Sequence, residues 1–252
     1  MTKHPLIADE DIASLERATL DAVAPLEVLE MADWLLPLDR STIGRAKSAV
    51  PLRHDGISAD ALDAIATAYH HWGIEARFRV ADLPGLGNIH QCLRAMGYTP
   101  HQPTLVQVGL VSALLAVPVS ATARVDTVPS DRWASVYTAS GFDAVDGAHR
   151  VQALSRSQYA IYAATDHGEQ AMAAGTASLS HGWACIHGMR TVVAARGQGL
   201  ASQILHSLAE VAAQRGLKRV FLQVEEVNTA AKALYARAGF QTAWRYHYWR
   251  KL

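Results

Sequence analysis

The sequence predicts an α/β protein built of two related parts, in which helices alternate with short strands. Three observations predict it. Segments with helical apolar spacing alternate with short β-branched or aromatic runs along the whole chain. The order helix, Gly, strand, helix, Gly-aromatic occurs twice, near residues 70–100 and again near 213–242. A chain of 252 residues, 50% of them hydrophobic, is long enough to bury a proper core.

The elements follow in order. The first forty residues read as acidic helix, with Ile12, Leu15, Leu20, Val23 and Leu26 near helical spacing and a break at Pro25. A strand-like run covers Trp34 to Leu38, a turn holds Gly44, and a second run covers Ala46 to Leu52. Ser58 is placed to cap a helix from Ala59 to His71 that stops at Gly73. A short strand contains Phe78 and Val80, the segment Pro84 to Asn88 is a turn, and a helix from Ile89 to Met96 stops at Gly97. Thr104 to Val108 closes the first part, and Ala113 to Ala123 connects it to the second.

The second part repeats the logic at greater length. Helices are expected at Asp131 to Ser140 and Ala144 to Ser157, then strands at Tyr159 to Ala164, Gln170 to Ser180 and Trp183 to Val192. A long amphipathic helix runs from Leu200 to Gln214, with Ile204, Leu205, Leu208 and Val211 on one face. The strand Arg219 to Val224, an Asn228-capped helix from Thr229 to Ala238, and an aromatic-rich closing strand complete the chain. In the repeat Gly97-Tyr98 matches Gly239-Phe240, and Leu93 then falls opposite Tyr235.

Composition narrows the function. No apolar stretch reaches membrane-span length, and the N-terminus lacks an apolar signal core. Two cysteines, Cys92 and Cys185, make no disulfide framework, so a reducing cytoplasm is expected. Lys plus Arg equals Asp plus Glu at 23 each, which argues against nucleic acid as a main partner. Residues 1–112 nevertheless carry 9 basic and 14 acidic side chains, and the remainder 14 and 9. A basic second half suits phosphates, and an acidic first half suits a cationic ligand.

The segment 188–208 carries the chemistry. A strand leads into Arg196, Gly197, Gln198, Gly199, Leu200 and Ala201, and then into the long helix. Glycines allow a tight turn and close backbone approach, while the helix start offers unpaired N–H groups and positive potential. Together they suit a pyrophosphate. The Gly-Lys-Ser/Thr of a Walker loop is missing, and so is the dinucleotide G-x-G-x-x-G spacing.

With Leu222 to Phe240, which adds a strand, an Asn, a helix Tyr and Gly-Phe, this loop resembles the GNAT superfamily (GCN5-related N-acetyltransferases). The resemblance follows element order over about residues 118–252 and is specific over 184–240. It implies an α+β mixed architecture of two GNAT-like lobes, each a mixed, mostly antiparallel sheet flanked by helices: a degenerate one over 1–112 that walls the substrate groove without a cofactor loop, and a catalytic domain over 113–252. It also implies that the fourth and fifth strands of the catalytic lobe splay. Acetyl-CoA is then the co-substrate, its pyrophosphate on Arg196 to Ala201, its pantetheine arm along Met189 and Thr191 and beside Asn228. Tyr235 is implied near the sulfur as general acid. One departure is Val193, where many members carry Pro.

The base is less legible. Trp183, Cys185 and His187 share one strand face, and His187 is the titratable candidate there. Glu225, Glu226 or a water chain are rivals, and His181 a weaker one. Cys185 lacks a triad and reads as packing, and no His/Cys spacing suits a metal. The expected acceptor is a small-molecule primary amine, with no nucleic acid or membrane partner, and a homodimer is allowed. A non-catalytic acyl-CoA-binding module of the same fold is the alternative.

Overall fold

The computed structural model describes residues 6–167 and 170–251. The first half holds α1 (Asp11–Val23), β1 (Glu27–Met31), β2 (Trp34–Leu38), β3 (Val50–Pro51), α2 (Leu62–His71), β4 (Phe78–Ala81), α3 (Gly87–Ala95) and β5 (Thr99–Leu110). The second holds α4 (Val111–Leu115), β6 (Arg124–Asp126), α5 (Asp131–Tyr137), α6 (Ala144–Leu154), β7 (Ala160–His167), β8 (Gln170–Ser180) and β9 (Trp183–Thr191). It ends with α7 (Leu200–Gln214), β10 (Arg219–Glu225), α8 (Thr229–Arg237) and β11 (Gln241–Arg250).

Three readings of the first half need correction. The expected helix stops at Val23, because Ala24 turns left-handed at φ 41° and Pro25 follows. Leu26 therefore lies outside the helix, and residues 27–38 form a hairpin whose turn residues Ala32 and Asp33 have φ of 47° and 67°. Ser58 does not cap α2. Its hydroxyl accepts from the Asp60 N–H, and the helix begins only at Leu62. Of the run 46–52, only Val50 and Pro51 are strand, since Gly44–Lys47 coil into a 3-10 turn.

Eight strands form one sheet in the order β4-β11-β5-β10-β9-β8-β7-β6, and β1-β2-β3 form a smaller one. Among the described residues only β9 and β10 pair in parallel within the large sheet. A single parallel bridge, Ala49 to Phe78, ties the small sheet to β4. The internal repeat thus has a structural counterpart. In each half a helix joins two parallel-bridged strands (α2 between β3 and β4, α7 between β9 and β10), and a further helix leads to a closing strand. The closing strands are exchanged: β5 pairs with β10, β11 pairs with β4, and the two lie side by side. A near-twofold relation therefore runs between β5 and β11.

Side chains alternate across this sheet and sort into two faces. Ala184, Ile186, Val220, Leu222 and Val224 pack against α7 and α8. Trp183, Cys185 and Phe221 face the other way, into a core shared with α1 through α3. Helix α1 is pinned there by polar ties: Trp183 Nε1 donates to Ser14 Oγ at 3.0 Å, and Gln223 Nε2 to Thr19 Oγ1 at 3.0 Å. Burying Trp183 fully contributes roughly 1.5–3 kcal/mol. Beneath α1, Glu16 and Arg79 form a buried ion pair, each about 1% exposed.

Candidate active site

The site begins with a backbone irregularity. Strands β9 and β10 pair from Trp183/Arg219 only as far as Ile186/Leu222. Beyond that point β9 stays with β8 and β10 stays with β5, so the two strands diverge. The cause lies in β9, which places two residues (Gly188 and Met189) opposite one of β8 (Gly175). Gly188 sits at this bulge with φ 64°, a conformation that favours glycine. Tyr137 donates its hydroxyl to the Gly188 carbonyl at 2.6 Å and holds the bulge from behind.

The gap opens into a cavity of about 630 Å³. Its walls come from both faces of the sheet. Met189, Asn228, Ala231 and Tyr235 line it on the α7–α8 side, and His187, Gln223, Tyr246, Tyr248 and several arginines line it on the other. The divergence therefore makes a passage through the sheet, with Ile186 and Leu222 at its closed end.

Of the residues singled out from the sequence, His187, Met189, Asn228 and Tyr235 meet in this cavity, as does Glu225. Thr191 and the segment 196–201 do not line it; they lie farther along, at the end of β9 and the start of α7. Glu226 also stays outside and faces Arg245 at 3.5 Å. Cys185 is 3% exposed, and burial pushes its thiol up to about 12, which suits packing rather than nucleophilic chemistry.

The loop before α7 is open to solvent. Gly197 and Gly199 both have φ 79°, and a Cβ on either would meet nothing within 4 Å. Among the described residues the backbone N–H groups of residues 197–201 have no hydrogen-bond acceptor. Five donors without an acceptor thus stand at the positive end of a 15-residue helix, which is a fitting cradle for a diphosphate. Val193 is 55% exposed in a 3-10 turn, with its Cγ2 close to Gly141.

Asn228 caps α8, its Oδ1 accepting from the Ala231 N–H at 3.1 Å, so its amide NH₂ remains to donate into the cavity. Tyr235 is 7% exposed and packs edge-on against Phe240 at 5.8 Å. Burial pushes its phenol up to about 12, so it holds its proton at neutral pH. Among the described residues its hydroxyl has no hydrogen-bond partner.

His187 is 5% exposed, and neither ring nitrogen has a partner among the described residues. Burial first, and then the charges of Arg45 and Arg150, push its imidazole down to about 3. It is therefore neutral at pH 7, with one donor and one acceptor unmet. Leaving such groups buried and unpaired costs about 1–3 kcal/mol each, a cost that a ligand can remove.

Sequence reasoning missed the arginines of the far wall. Arg45 and Arg77 come from the first half, Arg150 and Arg190 from α6 and β9, and Arg250 from β11. Arg45 and Arg77 make the first half's share of this wall cationic, and Glu225 of the second half is the one carboxylate among the described lining residues. The missed signal was Arg45, which follows the turn residue Gly44.

A family model described as "Probable histone acetyltransferase Rv0428c C-terminal" matches residues 9–249. A GCN5-related N-acetyltransferase from Kribbella flavida has a TM-score of 0.71 at 16% identity, over 97% of this chain and 96% of that one. A tandem GNAT protein from the clavulanic acid biosynthesis pathway, solved without AcCoA, has a TM-score of 0.61 at 16% identity, over 97% and 96%. The "Uncharacterized N-acetyltransferase YobR" of Bacillus subtilis (strain 168) is 35% identical over 80 residues. That match spans 32% of this chain and 32% of the relative, so the chain covers about a third of that curated protein. The structural likenesses bear on the fold; the family model bears on nearly the whole chain.

Proposed function

The chain belongs to the Rv0428c C-terminal acetyltransferase family of the GNAT superfamily, and from that premise we propose that it transfers acetyl from acetyl-CoA to a primary amine. It is an acyltransferase with the GNAT fold. The observation that carries the finer reading is the passage through the sheet, with a buried protonated Tyr on one side and an unsatisfied His on the other.

The residues present fit acetyl-CoA. The N–H groups of Gly197 to Ala201 would hold its pyrophosphate, with Arg196 beside them. The unpaired edge of β9 at Met189 and Thr191, together with the Asn228 amide, would hold the pantetheine arm. When bound, the co-substrate supplies its acetyl group as a thioester. The acceptor nitrogen, approaching from the arginine side, forms the N–C bond as the C–S bond breaks. Tyr235 then gives its proton to the departing sulfur.

The acceptor must arrive as a neutral amine. The positive charge around His187 lowers the pKa of an ammonium bound beside it, so no strong base is required. His187 orients the amine by accepting a hydrogen bond from it. The proton that the amine loses passes to water on the open side of the cavity, where Glu225 stands. Holding both reactants in one passage supplies much of the rate.

We further propose that residues 1–112 form a degenerate lobe that walls the groove, and that 113–252 form the catalytic domain. In support, the counterpart of Tyr235 is Leu93, buried at 0% exposure with no hydroxyl to offer. Two unpaired cysteines favour the cytoplasm as the compartment. No described helix is long and apolar enough to cross a membrane.

Calorimetry with acetyl-CoA, followed by thiol release over a panel of primary amines, tests the reading. Binding with amine-dependent release is expected. Binding without release by any amine would reduce the protein to an acyl-CoA binder, and absence of binding would overturn the reading altogether.

A further inference from the structure

The acceptor side of the cavity carries five arginines, Arg45, Arg77, Arg150, Arg190 and Arg250, and one carboxylate, Glu225. Their partners do not balance them. Arg150 and Arg190 share the single carboxylate of Asp146, at 2.7 and 2.6 Å. Arg77 meets Glu75 at 3.2 Å. Arg45 and Arg250 have no carboxylate partner among the described residues. Glu225 already accepts from the Gln102 amide at 2.8 Å.

Arg45 is the best placed of these. It lies on the 3-10 turn Gly44–Lys47, which is fixed on both sides. Ala46 is fully buried, and Lys47 Nζ donates to the Ser41 carbonyl at 2.6 Å. Gly44 lies so close to the Tyr248 ring that a Cβ there would sit 3.0 Å from it. The guanidinium is thus presented into the cavity by a rigid element rather than left to wander. Close by stand His187 with both ring nitrogens unpartnered and the hydroxyls of Tyr246 and Tyr248, 3.2 Å apart. The Arg45 guanidinium is partly buried and has no carboxylate partner among the described residues, so an anion that enters the cavity meets an uncompensated charge near an unpartnered imidazole. A planar carboxylate matches the guanidinium fork in charge and shape.

Resting on the acetyl-transfer reading, we propose that the acceptor is an amine bearing a carboxylate, as in an amino acid. Arg45 binds the carboxylate, and the amino group is thereby aimed at the gap between β9 and β10. A polyamine or a lysine in a basic peptide would meet this wall with like charge and bind poorly.

The test uses matched acceptors: amino acids against their carboxamides, with a diamine and a basic lysine peptide alongside. Thiol release should give a kcat/KM at least tenfold higher for each carboxylate than for its carboxamide. In Arg45→Gln that ratio should fall below about threefold through a rise in KM, and Arg45→Lys should keep part of it. A second readout is calorimetry of N-acetyl amino acids and their amides on the enzyme–CoA complex, where only the acids should bind measurably. Transfer that is equally fast to carboxamides, or faster to the diamine or peptide, would overturn the proposal and leave acetyl transfer standing. Selective binding of the acids without transfer to any amine would uphold the anion site and overturn the transfer reading.

Discussion

Replacing Gly188 with alanine should damage both stability and the cofactor gap. The residue sits at φ 64°, where an L side chain costs about 1–2 kcal/mol. Its new Cβ would lie 2.5 Å from the Tyr137 hydroxyl and 3.1 Å from Leu154 Cδ1. Tyr137 is buried and cannot retreat without giving up its 2.6 Å bond to the Gly188 carbonyl. Losing that bond in a buried setting adds about 1–3 kcal/mol. The total is about 2–5 kcal/mol, to be read as the change in unfolding free energy from urea melts. Gly199→Ala is the matched control. It has similar strain at φ 79° but nothing within 4 Å of the added carbon, so about 1–2 kcal/mol is expected. Gly188→Ala should also raise the KM for acetyl-CoA, because the bulge sets the divergence of β9. Equal losses in the two variants, or a Gly188→Ala loss no greater than the control's, would refute the argument.

Tyr235→Phe should lower kcat about 100-fold while the KM for acetyl-CoA stays within about threefold, measured by steady-state thiol release; an unchanged kcat would remove Tyr235 as the acid. His187→Gln bears on pH. With the folded pKa about 3, below the unfolded 6.5, the stability that neutral His187 contributes is present above pH 6.5 and lost as pH falls toward 3. At pH 5 that loss is about 2 kcal/mol, so the drop between pH 7 and pH 5 should be smaller by about that amount in the variant. Glu16→Gln should cost about 3–5 kcal/mol in urea unfolding by stranding the buried Arg79 charge, and adding Arg79→Met should recover most of it.

Legibility followed the range of the interaction. Helix α7 runs from Leu200 to Gln214 as its apolar stripe and closing glycine predict, and Asn228 caps α8 through its own side chain. Those signals are local. The β1–β2 hairpin was hidden because its turn uses Ala32 and Asp33 at positive φ, where the usual marker is Asn-Gly or Asp-Gly. The exchange of β5 and β11 was hidden for another reason: both strands have the same pattern whichever neighbour they choose, and pairing is a long-range decision. The site divided along the same line. The loop 196–201, Asn228 and Tyr235 stand within one helix–strand–helix run of α7, β10 and α8, so spacing exposes them. The arginine wall joins Arg45, Arg150 and Arg250 from distant parts of the chain. The net charge of the first half also misled, because Glu16 lies buried against Arg79 and Asp39 against Arg156, away from the cavity.

The central claim is that acetyl-CoA lies in the gap where β9 leaves β10, with its diphosphate at the start of α7. Amide hydrogen exchange with and without saturating acetyl-CoA reads this at the backbone itself. Slowed exchange is expected at residues 187–191, 197–201 and 223–225, with little change in β6, β7 or the β1–β2 hairpin. Saturating acetyl-CoA that leaves 187–191 and 197–201 unprotected would contradict the account.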